Sequence, residues 1–236
     1  MLRLFLTHNS VHCGTHCEFK AKQSAMHKYL CNICHRQFEL FEPPTKEDLL
    51  PSSSQFNELP FEMNIFSAFA FQNGGIIQSL IHHFKYLEMP TLAKILGSAW
   101  CKRNEDISKD YDYLVPVPLH RTRYSERGYN QSEMLATGIS KVSHIPIVKR
   151  GLLIRTRQTS TQTGLTIKQR EENVRDAFAL SKKGTKQLQG KRILIIDDVM
   201  TTGATLASAA SSLIIAKPER VDLFAIAAVI NNETSQ

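Results

Sequence analysis

A chain of 236 residues, 42% hydrophobic and 22% charged, is long enough for one α/β domain with a small appendage, and its composition excludes wholesale disorder. Its 29 Lys and Arg against 22 Asp and Glu leave a formal net charge of +7, which favours phosphorylated metabolites or nucleic acid as partners without separating the two. No apolar run approaches the ~20 residues of a membrane helix, and MLRLFL runs into THNSVHC without a small-residue cleavage site, so a cytoplasmic protein with no membrane partner is expected.

Residues 1–42 hold four of the five cysteines, Cys13, Cys17, Cys31 and Cys34, spaced C-x3-C and C-x2-C. In a cytoplasmic chain these are thiols or metal ligands rather than disulfides. Two short knuckles suit tetrahedral Zn2+, so the segment reads as zinc-ribbon-like. A piece this small buries little core, and a structural zinc would supply folding free energy on the order of 10 kcal/mol. Residues 43–60, within EPPTKEDLLPSSSQFNELP, cluster Pro and Ser without periodicity and read as a linker or an extended wrap.

From residue 61 onward, strand-like and helix-like patterns alternate. IFSAFAFQ (65–72) has β character, and GGIIQSLIHHFKY (74–86) sets Ile77, Leu80, Ile81 and Phe84 at helical spacing. TLAKILGSAW continues as a second helix, on whose extension Cys101 reads as a packed core residue. YDYLVPVP (111–118) is a strand closed by prolines, and NQSEMLATGISKV is a helix with Met134, Leu135 and Ile139 on one face. KRILIID and RVDLFAIAAVI are apolar on both faces, as central parallel strands are, with the helix ATLASAASSLIIA between them. The alternation predicts a doubly wound parallel sheet over 61–236 with helices on both faces. Ligands bind such sheets beyond the carboxyl ends of the strands, where residues 197–205 fall.

That stretch joins two opposite chemistries. The carboxylates of Asp197 and Asp198 only accept hydrogen bonds, which suits sugar hydroxyls and repels phosphate. In VMTTGAT, Gly203 permits close backbone approach, Thr201, Thr202 and Thr205 offer hydroxyls, and the following helix presents free N–H groups to an anion. A ribose 5-phosphate unit satisfies both halves. No Gly-Lys-Ser/Thr follows the strand, so this is not the Walker phosphate loop. Capping of a helix by two acids is the plainer alternative.

ILIIDDVMTTGAT resembles the phosphoribosyl-pyrophosphate (PRPP) motif of type I phosphoribosyltransferases. HHFKY, PVPLHRTRYSERGYNQSEMLA, LLIRTRQTSTQTGLTIKQREENVRDAFAL and the Cys-rich start extend the resemblance to the ComF/GntX branch, associated with DNA uptake in natural competence. The resemblance implies that Asp197 and Asp198 hold the ribose hydroxyls and Met200, Thr201, Thr202, Gly203, Ala204 and Thr205 the 5-phosphate. Arg121, Arg123 and Arg127 match the pyrophosphate loop, with Mg2+ carried on the pyrophosphate. Arg155, Arg157, Gln162, Arg170 and Asn173 match a hood that closes over PRPP, and Arg157 joins the acid pair as a catalytic residue. Family members usually have two residues in the first cysteine knuckle where this chain has three; Cys13 to His16 restores that spacing, so His16 competes with Cys17 as a ligand, and His12 is a weaker candidate.

Three functions follow from this: phosphoribosyl transfer in DNA uptake or nucleotide salvage, sensing of PRPP or a nucleotide without turnover, or an adaptor for single-stranded DNA that works with competence proteins such as a DNA-uptake helicase. The adaptor reading draws on charge but lacks an aromatic stacking platform. Lys85 ends a helix, where a cation suits the dipole, and His82 and His83 read as ordinary helix residues.

Overall fold

The structure, a computed structural model, describes residues 5–20, 24–46, 48–49, 53–60, 63–104, 106–157, 169, 172 and 176–230. Gln162, Arg170 and Asn173 lie outside the described residues. The centre is a four-stranded parallel sheet. Its strands are β3 (Ile65–Ala70), β4 (Tyr113–Pro116), β7 (Arg192–Met200) and β8 (Arg220–Ala228), in the order β3-β8-β7-β4. A parallel bridge from Leu114 to Ile147 extends the β4 side. Two antiparallel ribbons flank the sheet: β1 (Phe5–Asn9) with β2 (His16–Lys20), and β5 (Leu153–Arg155) with β6 (Phe178–Leu180).

The all-apolar run of β7 is explained by two cores, one on each face. Leu194 and Ile196 point into a cluster with Leu80, Phe84, Leu96, Leu135 and Ile139, while Ile193 and Ile195 join Leu206, Ala210 and Leu213 on the other side. β8 alternates likewise, with Phe224 and Ile226 on the first face and Leu223 and Ala225 on the second. Burying both faces of a strand demands branched aliphatics throughout, and that is what the sequence supplies.

The first face is covered by α2 (Ile76–Tyr86), α3 (Pro90–Arg103) and α6 (Gln131–Ser143). The Cys-rich start packs onto the same core through Met26, Leu30 and Phe38; the Phe38 ring lies 5.2 Å from that of Phe69. Residues 53–60 lie against the opposite core through Phe56 and Leu59, and Ser53 N–H donates to the Thr202 carbonyl at 3.0 Å.

α3 and α6 cross with their backbones in contact. A Cβ at Gly97 would run into the Leu135 carbonyl, and one at Gly138 into the Lys94 carbonyl; Ser98 Oγ donates to the Gly138 carbonyl at 2.9 Å. This close crossing fixes α6, whose first turn reaches the acid pair. Gly138→Ala is expected to lower the unfolding free energy by about 1–3 kcal/mol through forced separation of the helices. Urea unfolding measures it, and an unchanged midpoint would show that the crossing is not a constraint.

Candidate functional site

β7 does not stop where its apolar run ends. It continues through both acids to Met200, with Asp197 still in register with Ala225 and Val199 with Ala227. The acid pair is therefore held by sheet hydrogen bonds rather than by a loop. The two carboxylates reach different helices. Ser132 Oγ in the first turn of α6 donates to Asp197 Oδ1 at 3.0 Å, and the Asp198 N–H donates to the same oxygen at 2.8 Å. Lys85 Nζ on the last turn of α2 lies 2.8 Å from Asp198 Oδ1, with side chains only 19% and 14% exposed.

Asp197 keeps some exposed surface as a residue, but its carboxyl is enclosed by protein, and that enclosure sets its proton affinity. Burial raises its pKa to about 7, and the Asp198 charge adds to the rise. The Asp198 N–H, Lys85 and Ser132 oppose it. Arg155, on the β5–β6 ribbon, also faces this carboxyl; burial lowers its own pKa while the Asp197 charge counteracts that effect.

Lys85 is the residue whose part in the site the sequence concealed. A cation at a helix end suits the dipole on its own, but Ile81, Phe84 and Lys85 stand at i, i+3 and i+4 and so place this one on the margin of the buried face. The end of α2 is tied to the basic region twice more. Tyr129 OH donates to the Phe84 carbonyl, and the Arg127 guanidinium lies 5.2 Å from the Tyr86 ring centroid.

Beyond the acids, Gly203 takes φ 81° and forms the N-cap of α8 (Ala204–Leu213; α7 is Lys182–Leu188). Thr202 Oγ1 accepts from Ala204 N–H at 3.3 Å, and Met200 is buried with its carbonyl bound to Val229 N–H. Thr201 and Thr205 are half-buried at the mouth of the turn. The arrangement offers hydroxyls and the positive end of a helix to an anion.

The basic stretch after β4, which resembles the pyrophosphate loop, is a short helix, α5 (Arg121–Arg127), following α4 (Ile107–Asp110) in the chain. Gly128, at φ 73°, closes α5, and Asn130 then caps α6. Arg121 is exposed, Arg123 is half-buried and close enough to Arg155 for their charges to repel, and Arg127 leans on Tyr86. Arg157 is exposed just beyond β5. The structure thus gathers Asp197, Asp198, Lys85, Ser132 and Arg155 at the strand ends, with Arg123 near Arg155.

At the other end of α2, the ligand atoms of Cys13, Cys31 and Cys34 lie within 4.8 Å of one another, a set that can hold a metal ion. Cys13 and Cys31 sulfurs are 3.6 Å apart, and Cys31 Sγ caps α1 (Asn32–Glu39) by accepting from Cys34 N–H. The Ser10 and Thr15 hydroxyls beside Cys13 draw its thiol down to about 6, while burial pushes Cys34 up to about 12. Cys17 is not in the set of three; its thiol donates to the Thr15 carbonyl at 2.9 Å. The His16 ring is bound to Asn9 Oδ1 at 3.0 Å and the His12 ring to Ser79 Oγ at 3.0 Å.

The raised pKa of Asp197 has a sign that can be tested. Between its ordinary value of 3.8 and its folded value of about 7, the folded chain keeps a proton that the unfolded chain has released. Stability therefore falls as pH rises through that window and levels off above it. Asp197→Asn is expected to melt above the parent at pH 8, with the advantage fading toward pH 4. A constant difference across that range would mean that the Asp197 carboxyl does not titrate there.

Residues 130–235 match the phosphoribosyl transferase domain family. Competence protein F of Haemophilus influenzae is 35% identical over 133 residues, covering 54% of this chain and 57% of that protein. DNA utilization protein YhgH of Escherichia coli K12 is 38% identical over 144 residues, covering 58% and 61%, and competence protein ComFC of Bacillus subtilis is 35% identical over 101 residues, covering 43% and 38%. The matches thus span about three fifths or less of these relatives. Among solved structures, the glutamine PRPP amidotransferase of B. subtilis aligns at 18% identity with a TM-score of 0.41, over 62% of this chain and 30% of that one. The parallel sheet with its domain match is a type I phosphoribosyltransferase-like fold, and over about half its length the chain is similar to these competence and DNA utilization proteins.

Proposed function

We propose that this protein binds PRPP and transfers its phosphoribosyl group to a nitrogenous acceptor, in DNA uptake or nucleotide salvage. The observation that carries the reading is the order of groups along the end of β7: two carboxylates fixed in the sheet, then a Gly203 turn opening a helix. The ribose hydroxyls donate to Asp197 and Asp198, and residues 200–205 receive the 5-phosphate. Arg121, Arg123 and Arg127 take the pyrophosphate, and Arg157, exposed just beyond β5, matches the hood position of the resembled family. Mg2+, when bound with the ligand, would supply positive charge against the pyrophosphate; Asp198 already has Lys85 as its cation, so the acids would leave the metal to the ligand. As the bond from the sugar to pyrophosphate breaks, positive charge grows on the ribose beside the acids, and negative charge on the leaving group faces the arginines.

The cysteine cluster is read as a structural zinc site. Cys17 completes it, since its thiol feels the charges of both Cys31 and Cys13 while the His16 ring is turned to Asn9. About one equivalent of zinc is expected in protein purified without chelator. Cys17→Ser should lose metal and His16→Ala should keep it; the reverse pattern would assign the fourth position to His16.

A second reading, binding of single-stranded DNA as an adaptor, is favoured by the net charge of +7 and by the names of the relatives. Phosphate contacts would make such binding weaken steeply with salt.

The double variant Asp197→Asn with Asp198→Asn tests the sugar site. A hydrogen bond to a charged acceptor is worth roughly 1.5–3 kcal/mol, so PRPP affinity by calorimetry should fall by about tenfold or more. Inorganic phosphate should bind as well or better once like-charge repulsion is relieved. Unchanged PRPP affinity would show that the carboxylates do not hold the ribose.

A further inference from the structure

One strand over from the acid pair, a cavity of about 970 Å³ opens at the carboxyl end of β4, between α5 and the β5 side of the ribbon. Its volume falls within the roughly 300–1,000 Å³ of small-molecule sites. Pro118, Leu119, Val148 and Ile154 give it apolar walls, and the Tyr124 ring forms one side. Among the described residues, Arg121, Lys149, Arg150 and Arg155 line it against one acid, Glu133. That acid is already paired: Arg150 Nη2 lies 2.6 Å from Glu133 Oε2, and the same guanidinium stacks 4.4 Å from the Tyr124 centroid. The remaining charge on the lining is entirely positive.

Two lining residues connect the cavity to the acid pair. Asn130 donates to the Val117 carbonyl at 2.9 Å and caps α6 two residues before Ser132, which holds Asp197. Arg155, on the cavity wall, is close enough to Asp197 for their charges to interact. A ligand in the cavity is therefore a neighbour of whatever the acids hold.

We infer that this cavity is the acceptor site and that the acceptor is a planar heteroaromatic ring bearing a carboxylate; the inference rests on the phosphoribosyl-transfer reading above. Apolar walls and a Tyr edge suit the face of a ring. A neutral ring would desolvate Lys149 without giving it a counterion, which is costly. A carboxylate gives it one and matches the planar fork of a guanidinium. When such a ring carries an N–H, its nitrogen bonds to the sugar carbon as the carbon–oxygen bond to pyrophosphate breaks. The electron pair of that bond leaves on pyrophosphate, which also takes the ring proton.

The test uses the full chain and pairs of rings that differ chiefly in the carboxylate, orotate against uracil and nicotinate against nicotinamide, titrated calorimetrically with and without PRPP. At least one carboxylated ring is expected to bind about tenfold tighter than its neutral twin, as a charge-assisted contact allows. Lys149→Gln, at an exposed position, should erase that preference and leave PRPP affinity unchanged. Ile154→Glu, at a wall residue 42% exposed, should abolish carboxylate binding by placing a like charge in the cavity. Equal binding of both twins, or no binding of either, overturns the inference while PRPP binding keeps the transfer reading intact. Loss of PRPP affinity in Lys149→Gln would also overturn it, making the cavity a phosphate subsite. Absence of PRPP binding in the parent chain would sink the transfer reading alone, and the ring preference measured without PRPP would still decide the inference.

Discussion

Two carboxylates side by side at the end of a central strand are the constraint around which the rest of this molecule is arranged. Buried charges of like sign are unfavourable unless protonated, paired or hydrogen-bonded. All three remedies are present. Asp198 is paired with Lys85, Asp197 accepts from Ser132 and from the next backbone N–H, and burial raises Asp197 toward neutrality. Each remedy comes from a different element, so α2, α6 and β7 must meet at one place. The close crossing of α3 with α6 and the packing of α2 on α3 hold them there.

The segments outside the α/β pattern support the same place from a distance. The Cys-rich start adds Met26, Leu30, Cys31, Cys34 and Phe38 to the core beneath α2 and α3. Through that core it braces the helix that carries Lys85. Residues 53–60 act on the other side, where Ser53 binds the Thr202 carbonyl and so steadies the peptide just ahead of Gly203. A metal in the cysteine cluster would act on the same brace, since Cys31 caps α1 and Phe38 of that helix touches Phe69 on β3.

The parts of this arrangement that sequence reveals are those written in consecutive residues. β7, β8 and the turn at 201–205 were legible because two-faced burial demands unbroken apolar runs and a phosphate turn demands small and hydroxylated residues in a fixed order. The sheet order was not legible, because β3 pairs with β8 across more than half the chain. Lys85 was hidden for a related reason: its partner lies 113 positions away, and a cation at a helix end already has a sufficient local explanation. The helical form of 121–127 was masked by its composition, since three arginines without a buried residue resemble a solvated turn. Spacing alone leaves the fourth ligand between Cys17 and His16, and among the described residues Cys13, Cys31 and Cys34 lie together.

The proposed function gives the acid pair and the turn at 201–205 complementary effects on the wrong ligand. Asp197 and Asp198 repel any anion that settles close to them, so phosphate in the turn is disfavoured unless something neutral keeps it away from the carboxylates. A sugar ring does this, with hydroxyls that donate to the acids at one side and a phosphoester carried off at the other. The resident donors around the acids, Ser132 and the Asp198 N–H, both bind the same oxygen of Asp197. Under the proposed function, a diol would donate to these acceptors where an isolated phosphate would not. Selectivity for a phosphorylated sugar would then follow from spacing along a single strand and turn, with repulsion contributing to the choice as well as attraction.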